Sequence, residues 1–92
     1  MSTLNPKQAA VKLIKMADEA VRTSQAQMRS SAILNLEDAR ELLYKAQETD
    51  DRQDYLYSAR KSVRAIGYAG STFSGPYTSA KVIFEATFGH YR

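Results

Sequence analysis

The sequence predicts an all-α protein, and three observations support that fold class. The sixty residues from Lys7 to Ile66 contain neither Gly nor Pro, the two residues that most destabilise a helix interior. Good helix formers such as Ala, Leu, Lys, Arg, Gln and Glu are abundant in that stretch. Apolar residues recur along it every 3.6 residues on average, the α-helical period, with Ser24 filling one place: Ala10, Ile14, Ala17, Val21, Met28, Ala32, Leu36, Ala39, Leu43 and Ala46. We therefore expect a three- to four-helix bundle built on an antiparallel helical hairpin.

The chain of 92 residues is expected to form a single helical domain, because a second one would not fit. A domain of this size buries a modest fraction of its surface, so we expect a stability that is marginal or shared with a partner. The sequence has no Cys, which excludes disulfides and thiolate chemistry. It also has no apolar run near the roughly 20 residues of a membrane span and no secretory signal pattern. We expect a cytoplasmic protein without membrane association.

The first helix is expected to begin at Pro6, after a flexible segment of residues 1–5. Asn5 can cap the free N–H groups of the first turn, and Pro is well tolerated at the first helical position. The following stretch, residues 24–35, leaves two alternatives open. The apolar stripe keeps its phase there, which fits one helix from Pro6 to about Thr49, roughly 66 Å long, that would need oligomerisation.

The second alternative, which we favour, is a break within residues 24–35. Ser30 and Ser31, or Asn35, could cap a new helix there, and a single small domain usually folds back on itself sooner than a continuous helix would allow. Residues 36–49 and 51–67 then form the predicted hairpin, joined at Thr49, with Asp50 or Asp51 capping its second helix. Its buried face is expected to consist of Leu56, Ala59, Val63 and Ile66, and the helix is expected to end at Gly67 or Gly70.

Residues 70–76 hold the densest group of helix breakers and are predicted to be a loop. A short C-terminal helix is expected from about Tyr77 to Gly89, because an apolar stripe at helical spacing follows the loop. The run from Val82 to Phe84 also has strand character, which is the alternative for this element. The stripe consists of Tyr77, Ala80, Phe84, Phe88 and Tyr91.

Catalytic and metal-binding chemistry is not expected. The chain has one His, His90, near its end, and its Gly spacing matches no phosphate-binding loop. Its acidic cluster lacks the Gly turn of a calcium loop and contains Arg52, so helix capping is the better interpretation; the cluster is Glu48, Asp50, Asp51 and Asp54. We predict a protein that is not an enzyme and that uses no metal and no cofactor.

The outer face of the third helix is the first candidate binding site, with basic and aromatic residues at three- and four-residue spacing: Tyr57, Arg60, Lys61, Arg64 and Tyr68. Arg and Tyr dominate protein–protein hot spots, and together they can also hold phosphate and stack a base. A plain solvated surface is the simplest alternative. Glu37 and Glu41 lie one hairpin length away and could pair with the two arginines instead.

The C-terminal aromatics are the second candidate, because eight of the nine aromatic residues lie after residue 54. A small monomer cannot cover all of them, and exposed apolar patches mark interfaces; core packing is the plainer interpretation. Charge is also segregated, summing to +3 over residues 1–36, −4 over 37–54 and +4 over 55–92. The candidate interface residues are Phe73, Tyr77, Phe84, Phe88 and Tyr91.

Taken together, these patterns predict a non-catalytic protein–protein interaction module of the adaptor, chaperone or inhibitor type. We expect it to self-associate as a homo-oligomer, because an all-helical chain of this size has little core of its own. The alternative function is binding of nucleic acid or a nucleotide ligand through the basic and aromatic face of the third helix.

Overall fold

The computed structural model describes residues 4–70 and 75–91 and confirms the all-α prediction. It contains four helices, α1 (Pro6–Thr23), α2 (Arg29–Thr49), α3 (Arg52–Ala69) and α4 (Gly75–Phe88), and no strand within the described residues. The strand alternative for residues 82–84 is therefore wrong, because they lie inside α4.

The helices form a bundle in which α3 contacts all three others, and α2 and α4 have no mutual contact among the described residues. Helices α1 and α3 run parallel. Ala10 and Tyr55 share an apolar cluster near their starts, and the Ser24 hydroxyl donates a hydrogen bond to the Ala69 carbonyl at their ends. Helices α2 and α4 run antiparallel to this pair, on different sides of it.

Helix α1 starts where the sequence predicts, and its first turn is held by a reciprocal cap. The Gln8 backbone N–H donates to Asn5 Oδ1 at 2.8 Å, and the Asn5 backbone N–H donates to Gln8 Oε1 at 3.1 Å. Two otherwise unpaired donors are satisfied in this way, with Pro6 in the first turn. Asn5 is thus fixed as a cap, while residues 1–3 of the predicted flexible segment lie outside the described residues.

The predicted break between the first two helices exists, but its predicted positions were wrong. The chain leaves helical geometry at Ser24, and α2 begins at Arg29. Ser30 and Ser31 therefore lie in the first turn of α2, and Asn35 lies inside it, donating from Nδ2 to the Ser31 carbonyl at 2.8 Å.

The reason for the earlier break is a set of contacts that no helical pattern reveals. Besides its bond to Ala69, the Ser24 hydroxyl accepts the Ala26 N–H at 3.1 Å, and Arg29 Nε donates to the Val21 carbonyl at 3.1 Å. Met28 is exposed and does not extend the buried stripe. The continuous 44-residue helix is excluded.

The predicted hairpin is confirmed, with a turn at Asp50 and Asp51. Asp50 adopts a left-handed conformation with φ of 52°, and Asp51 caps α3 by accepting the Gln53 N–H at 2.9 Å. Gly70, and not Gly67, stands at the end of α3. The helices of the hairpin approach closely because the buried positions of α2 are mostly small, and the Ser58 hydroxyl donates to the Ala39 carbonyl at 2.7 Å.

Helix α4 begins two residues before its predicted start. Gly75 and Pro76 are helical, which corrects the predicted loop over residues 70–76, of which 71–74 lie outside the described residues. Pro fits the first turn of a helix because its missing N–H would be unpaired there. The helix stops before Gly89, as predicted, where a φ of 91° suits glycine.

The main core runs along the contact of α1 and α3 and continues to α4. Leu13, Val63, Ile66 and Phe84 are its largest fully buried apolar side chains. Most of the predicted apolar stripe is buried, although Ile14 and Leu43 are only partly covered, and Leu56 of the predicted buried face of α3 is also only partly covered. Among the described residues, none of the helices combines the length and apolar character that a membrane crossing requires.

Candidate binding groove between α3 and α4

The exposed side of α3 lies between its contact with α2 and its contact with α4. Four of the five predicted binding residues remain accessible to a partner on this side, and Lys61 does not share their surroundings. Tyr57 and Tyr68 are each 40% exposed, Arg64 is exposed, and Arg60 is partly buried. The five residues are therefore near one another in sequence but divide between two environments.

Lys61 belongs to the hairpin. Its Nζ lies 3.7 Å from Asp38 Oδ2 on α2. The proposed pairing of Arg60 and Arg64 with Glu37 and Glu41 is not observed, and within residues 4–70 and 75–91 neither arginine has an ion pair with a carboxylate. Both arginines instead lie on the side of α3 that meets α4.

A groove of about 220 Å³ lies where Arg64 meets the C-terminal aromatics. It is lined by Arg64, Gly67, Tyr68, Tyr77 and Tyr91. The Tyr77 and Tyr91 rings meet edge to face with centroids 6.4 Å apart. Residues from both sets that the sequence predicts as binding candidates therefore share one depression.

The surroundings of the groove affect the pKa of Tyr91 in opposing directions. Partial burial raises the pKa of the Tyr91 hydroxyl, and the neighbouring Tyr77 raises it further. The charge of Arg64, its hydrogen bond to Tyr91, and the charge of Arg60 all act to lower that pKa. The pKa of Tyr91 is raised overall, so burial outweighs the two guanidinium groups near its hydroxyl.

Arg60 continues the groove along α3. Its guanidinium carbon lies 5.7 Å from the centroid of the Tyr57 ring, which is within cation–π range. Its Nε is buried and has no hydrogen-bond partner among the described residues. Lys81 of α4 adds a third cation, 5.8 Å from the Tyr77 ring centroid. We call this surface the Tyr–Arg groove and define it as Tyr57, Arg60, Arg64, Tyr68, Tyr77 and Tyr91.

The remaining predicted aromatic residues have other positions. Phe84 is 1% exposed and lies in the core, so it has no surface to offer a partner. Phe88 is partly buried between the two apolar clusters, with the Arg52 guanidinium carbon 5.4 Å from its ring centroid. Phe73 lies outside the described residues.

Three of the four residues of the acidic cluster at the hairpin turn, Asp50, Asp51 and Asp54, have structural partners. Asp51 caps α3, and Asp54 accepts the Thr49 hydroxyl at 3.0 Å and lies 3.9 Å from Lys45 Nζ. Asp50 accepts the Tyr55 hydroxyl at 3.4 Å. Within the described part of the chain, no group of three or more His, Cys, Asp or Glu residues has metal-binding geometry.

The outward face of α2 is a feature that the sequence analysis missed. Leu34 is 62% exposed and Tyr44 is 70% exposed. Both residues fall off the buried stripe of α2, and a large apolar residue on the polar side of an amphipathic helix is the signal that could have identified them.

Comparison of the chain with protein-family models, curated proteins and solved structures gave no match. The geometry of the Tyr–Arg groove is therefore the basis for the functional assignment that follows.

Proposed function

We propose that this protein is a non-catalytic protein–protein interaction module that binds an acidic segment of a partner in the Tyr–Arg groove. The observation that carries the proposal is a depression lined by Arg64 and three tyrosines, beside the stacked pair of Arg60 and Tyr57, with neither arginine paired to a carboxylate among the described residues. Tyr and Arg are the residue types most enriched at binding hot spots.

Tyrosine and arginine are expected to make different contributions to binding. Tyrosine rings supply apolar contact area at a low entropic cost, and each carries a hydroxyl for hydrogen bonding. The guanidinium groups supply planar, paired donors for a carboxylate. Arg60 is already oriented by its contact with the Tyr57 ring, so less of its side-chain freedom is lost when a partner binds.

A protein partner fits this surface better than nucleic acid does. The rings of Tyr77 and Tyr91 are engaged edge to face with each other, and Tyr91 also meets Phe84 edge-on at 5.3 Å. Few ring faces are therefore free to stack on bases, the interaction that single-strand binders use. The groove also has few cations compared with the phosphate contacts of a typical nucleic-acid site.

Affinity capture with the full-length protein tests the proposal. We expect the wild-type protein to retain partner proteins from a nuclease-treated native lysate, and Arg60→Gln/Arg64→Gln to lose them. The control is Lys12→Gln/Lys15→Gln, which removes the same charge from the exposed side of α1. Equal retention by both double variants, with unchanged far-ultraviolet circular dichroism, would contradict the proposal.

Nucleic-acid or nucleotide binding is the second candidate, because the exposed Arg64 guanidinium, near the Arg60–Tyr57 pair, also suits a phosphate next to a base. A labelled single-stranded oligonucleotide tests it by fluorescence anisotropy across a salt series. Phosphate binding should weaken with rising salt, with the logarithm of the binding constant falling linearly with the logarithm of the salt concentration.

A cytoplasmic location is part of the leading proposal, and cell fractionation tests it.

A further inference from the structure

The outward face of α2 is acidic, and Arg40 and Lys45 of the same helix do not lie on it. Glu37 and Glu41 lie between the exposed Leu34 and Tyr44 on this face, and Glu48 follows one turn after Tyr44. We call these five residues the acidic stripe. No ion pair engages its three glutamates within the described residues.

The basic residues of α2 are turned to the flanks of the stripe. Arg40 Nη2 lies 2.7 Å from Asp18 Oδ1 of α1, and Lys45 lies near Asp54 of α3. The stripe therefore keeps an uncompensated negative charge next to exposed apolar area. This chemistry is opposite in charge to the Tyr–Arg groove and similar to it in apolar content.

The spacing of the two surfaces also corresponds. Along α2, the order Leu34, Glu37, Glu41, Tyr44 has steps of three, four and three residues. Along α3, the order Tyr57, Arg60, Arg64, Tyr68 has steps of three, four and four residues. At 1.5 Å per residue both rows are about 15–17 Å long, each with an apolar residue at both ends and two like charges between them.

Within one molecule these surfaces cannot meet. The hairpin joins α2 to α3 through other residues, such as Asp38 and Lys61, and α2 has no contact with α4 among the described residues. The stripe is exposed on the far side of α2, whereas the groove lies where α3 meets α4. Any contact between stripe and groove must therefore join two copies of the chain.

We propose that the Tyr–Arg groove of one copy binds the acidic stripe of a second copy, so that the protein assembles head to tail. This inference rests on the proposed function, because it identifies the acidic segment as α2 of the same protein. The docking is of the helix-in-groove kind. Glu37 and Glu41 pair with Arg60 and Arg64, and the end residues of the two rows cover one another.

The geometry of such an assembly has a direct consequence for its size. The two surfaces differ and lie on different sides of the molecule, so the interface is heterologous, and copies add head to tail until the assembly closes into a ring or continues as an open chain. We therefore expect an average mass that rises with protein concentration. The mass should fall as salt is added, since the charged pairs lie at an exposed helix surface.

Sedimentation of the full-length protein and two double variants tests the inference. Glu37→Gln/Glu41→Gln damages only the stripe, and Arg60→Gln/Arg64→Gln damages only the groove. We expect each variant alone to associate at least tenfold more weakly than wild type, and Lys12→Gln/Lys15→Gln to associate like wild type. An equal mixture of the stripe and groove variants keeps one intact pair of surfaces and should form complexes that stop at two copies.

Two results would overturn the inference. One is a wild-type protein that stays monomeric at every accessible concentration in low salt. The other is a mixture of the two variants that associates no better than each variant alone. If lysate capture still depends on Arg60 and Arg64 in either case, the proposed function stands and only the identity of the acidic segment is wrong.

Discussion

Helix α3 meets α2 and α4 through contacts of opposite kinds. Against α2 the contact uses small residues: Ala32, Ala39 and Ala46 are fully buried on α2, and the Ser58 hydroxyl reaches the Ala39 carbonyl. Against α4 the contact includes a large ring, because the fully buried Phe84 shares a core cluster with Val63 and Ile66 of α3. We refer to these as the small-residue contact and the aromatic contact.

This difference explains where a binding groove can form. Small residues let two helices approach closely, and α2 and α3 do so at Ala39, whose carbonyl accepts the Ser58 hydroxyl at 2.7 Å. Beside α4, the rings of Tyr77 and Tyr91 are only partly buried and line a depression together with Gly67. The Tyr–Arg groove therefore lies at the aromatic contact and not at the small-residue contact.

The largest effect is expected from emptying the aromatic contact. Phe84→Ala should lower the free energy of unfolding by about 3–5 kcal/mol, since it removes a fully buried ring and leaves a cavity. Denaturant unfolding monitored by circular dichroism measures the change. Val82→Ala on the exposed side of the same helix is the control and should change stability by less than about 0.5 kcal/mol. Equal effects of the two substitutions would show that α4 is not part of the folded core.

The next effect is expected from overfilling the small-residue contact. Ala39→Leu places extra methylene groups where α2 and α3 approach closely, and it should cost about 1–3 kcal/mol. Ala86→Leu at an exposed position of α4 is the matched control, with little expected change. The same unfolding assay compares the stabilities of the two variants. If Ala39→Leu is tolerated as well as Ala86→Leu, then α2 and α3 do not pack closely at Ala39.

The helices of this protein were predictable because their signals are local. Asn5 and Asp51 were identifiable as caps from residue type and position, and Gly89 was identifiable as a stop. The link at Ser24 was not, because its hydroxyl is satisfied by Ala69, 45 residues away. A hydrogen bond to a distant carbonyl leaves no trace in helical periodicity.

The candidate site was predictable only as two separate halves. Spacing alone identified Arg60 and Arg64 on α3, and composition identified Tyr77 and Tyr91, but only tertiary packing brings them to one groove. Spacing also grouped Lys61 with the arginines, although in the hairpin Lys61 forms an ion pair with Asp38 of α2. A helical residue at the edge of an exposed face can contact either neighbour, and the sequence does not say which.

A smaller effect is expected from the hydrogen bond within the small-residue contact. Ser58→Ala removes the donor to the Ala39 carbonyl and should cost about 1 kcal/mol. Ser62→Ala is a close control on the same helix, because the Ser62 hydroxyl is equally buried but donates only to the carbonyl of Ser58, one turn earlier, at 3.1 Å. Such local bonds add little to stability. Thermal unfolding that finds the two variants equally stable would show that the bond between helices contributes nothing.

The smallest effect is expected from alkaline pH, and it compares one tyrosine at the end of the hairpin with one in the groove. Burial raises the pKa of Tyr55, with a further increase from the charge of Asp50 and the hydrogen bond to it. Burial also raises the pKa of Tyr91, but Arg64 and Arg60 oppose that increase. A raised pKa means that the folded state favours the protonated hydroxyl. The stability that depends on these two protonated tyrosines is therefore fully present below the ordinary tyrosine pKa of 10.0 and is lost as pH rises above it.

Thermal unfolding across the alkaline range measures this loss, with Tyr55→Phe and Tyr91→Phe as the variants. Tyr55→Phe should reduce the alkaline decline in melting temperature more than Tyr91→Phe, since only Tyr91 has guanidinium groups that stabilise its ionised form. The opposite order would mean that Arg60 and Arg64 do not direct their charge into the groove. The Tyr–Arg groove would then lose the electrostatic feature that distinguishes it from an ordinary exposed aromatic edge.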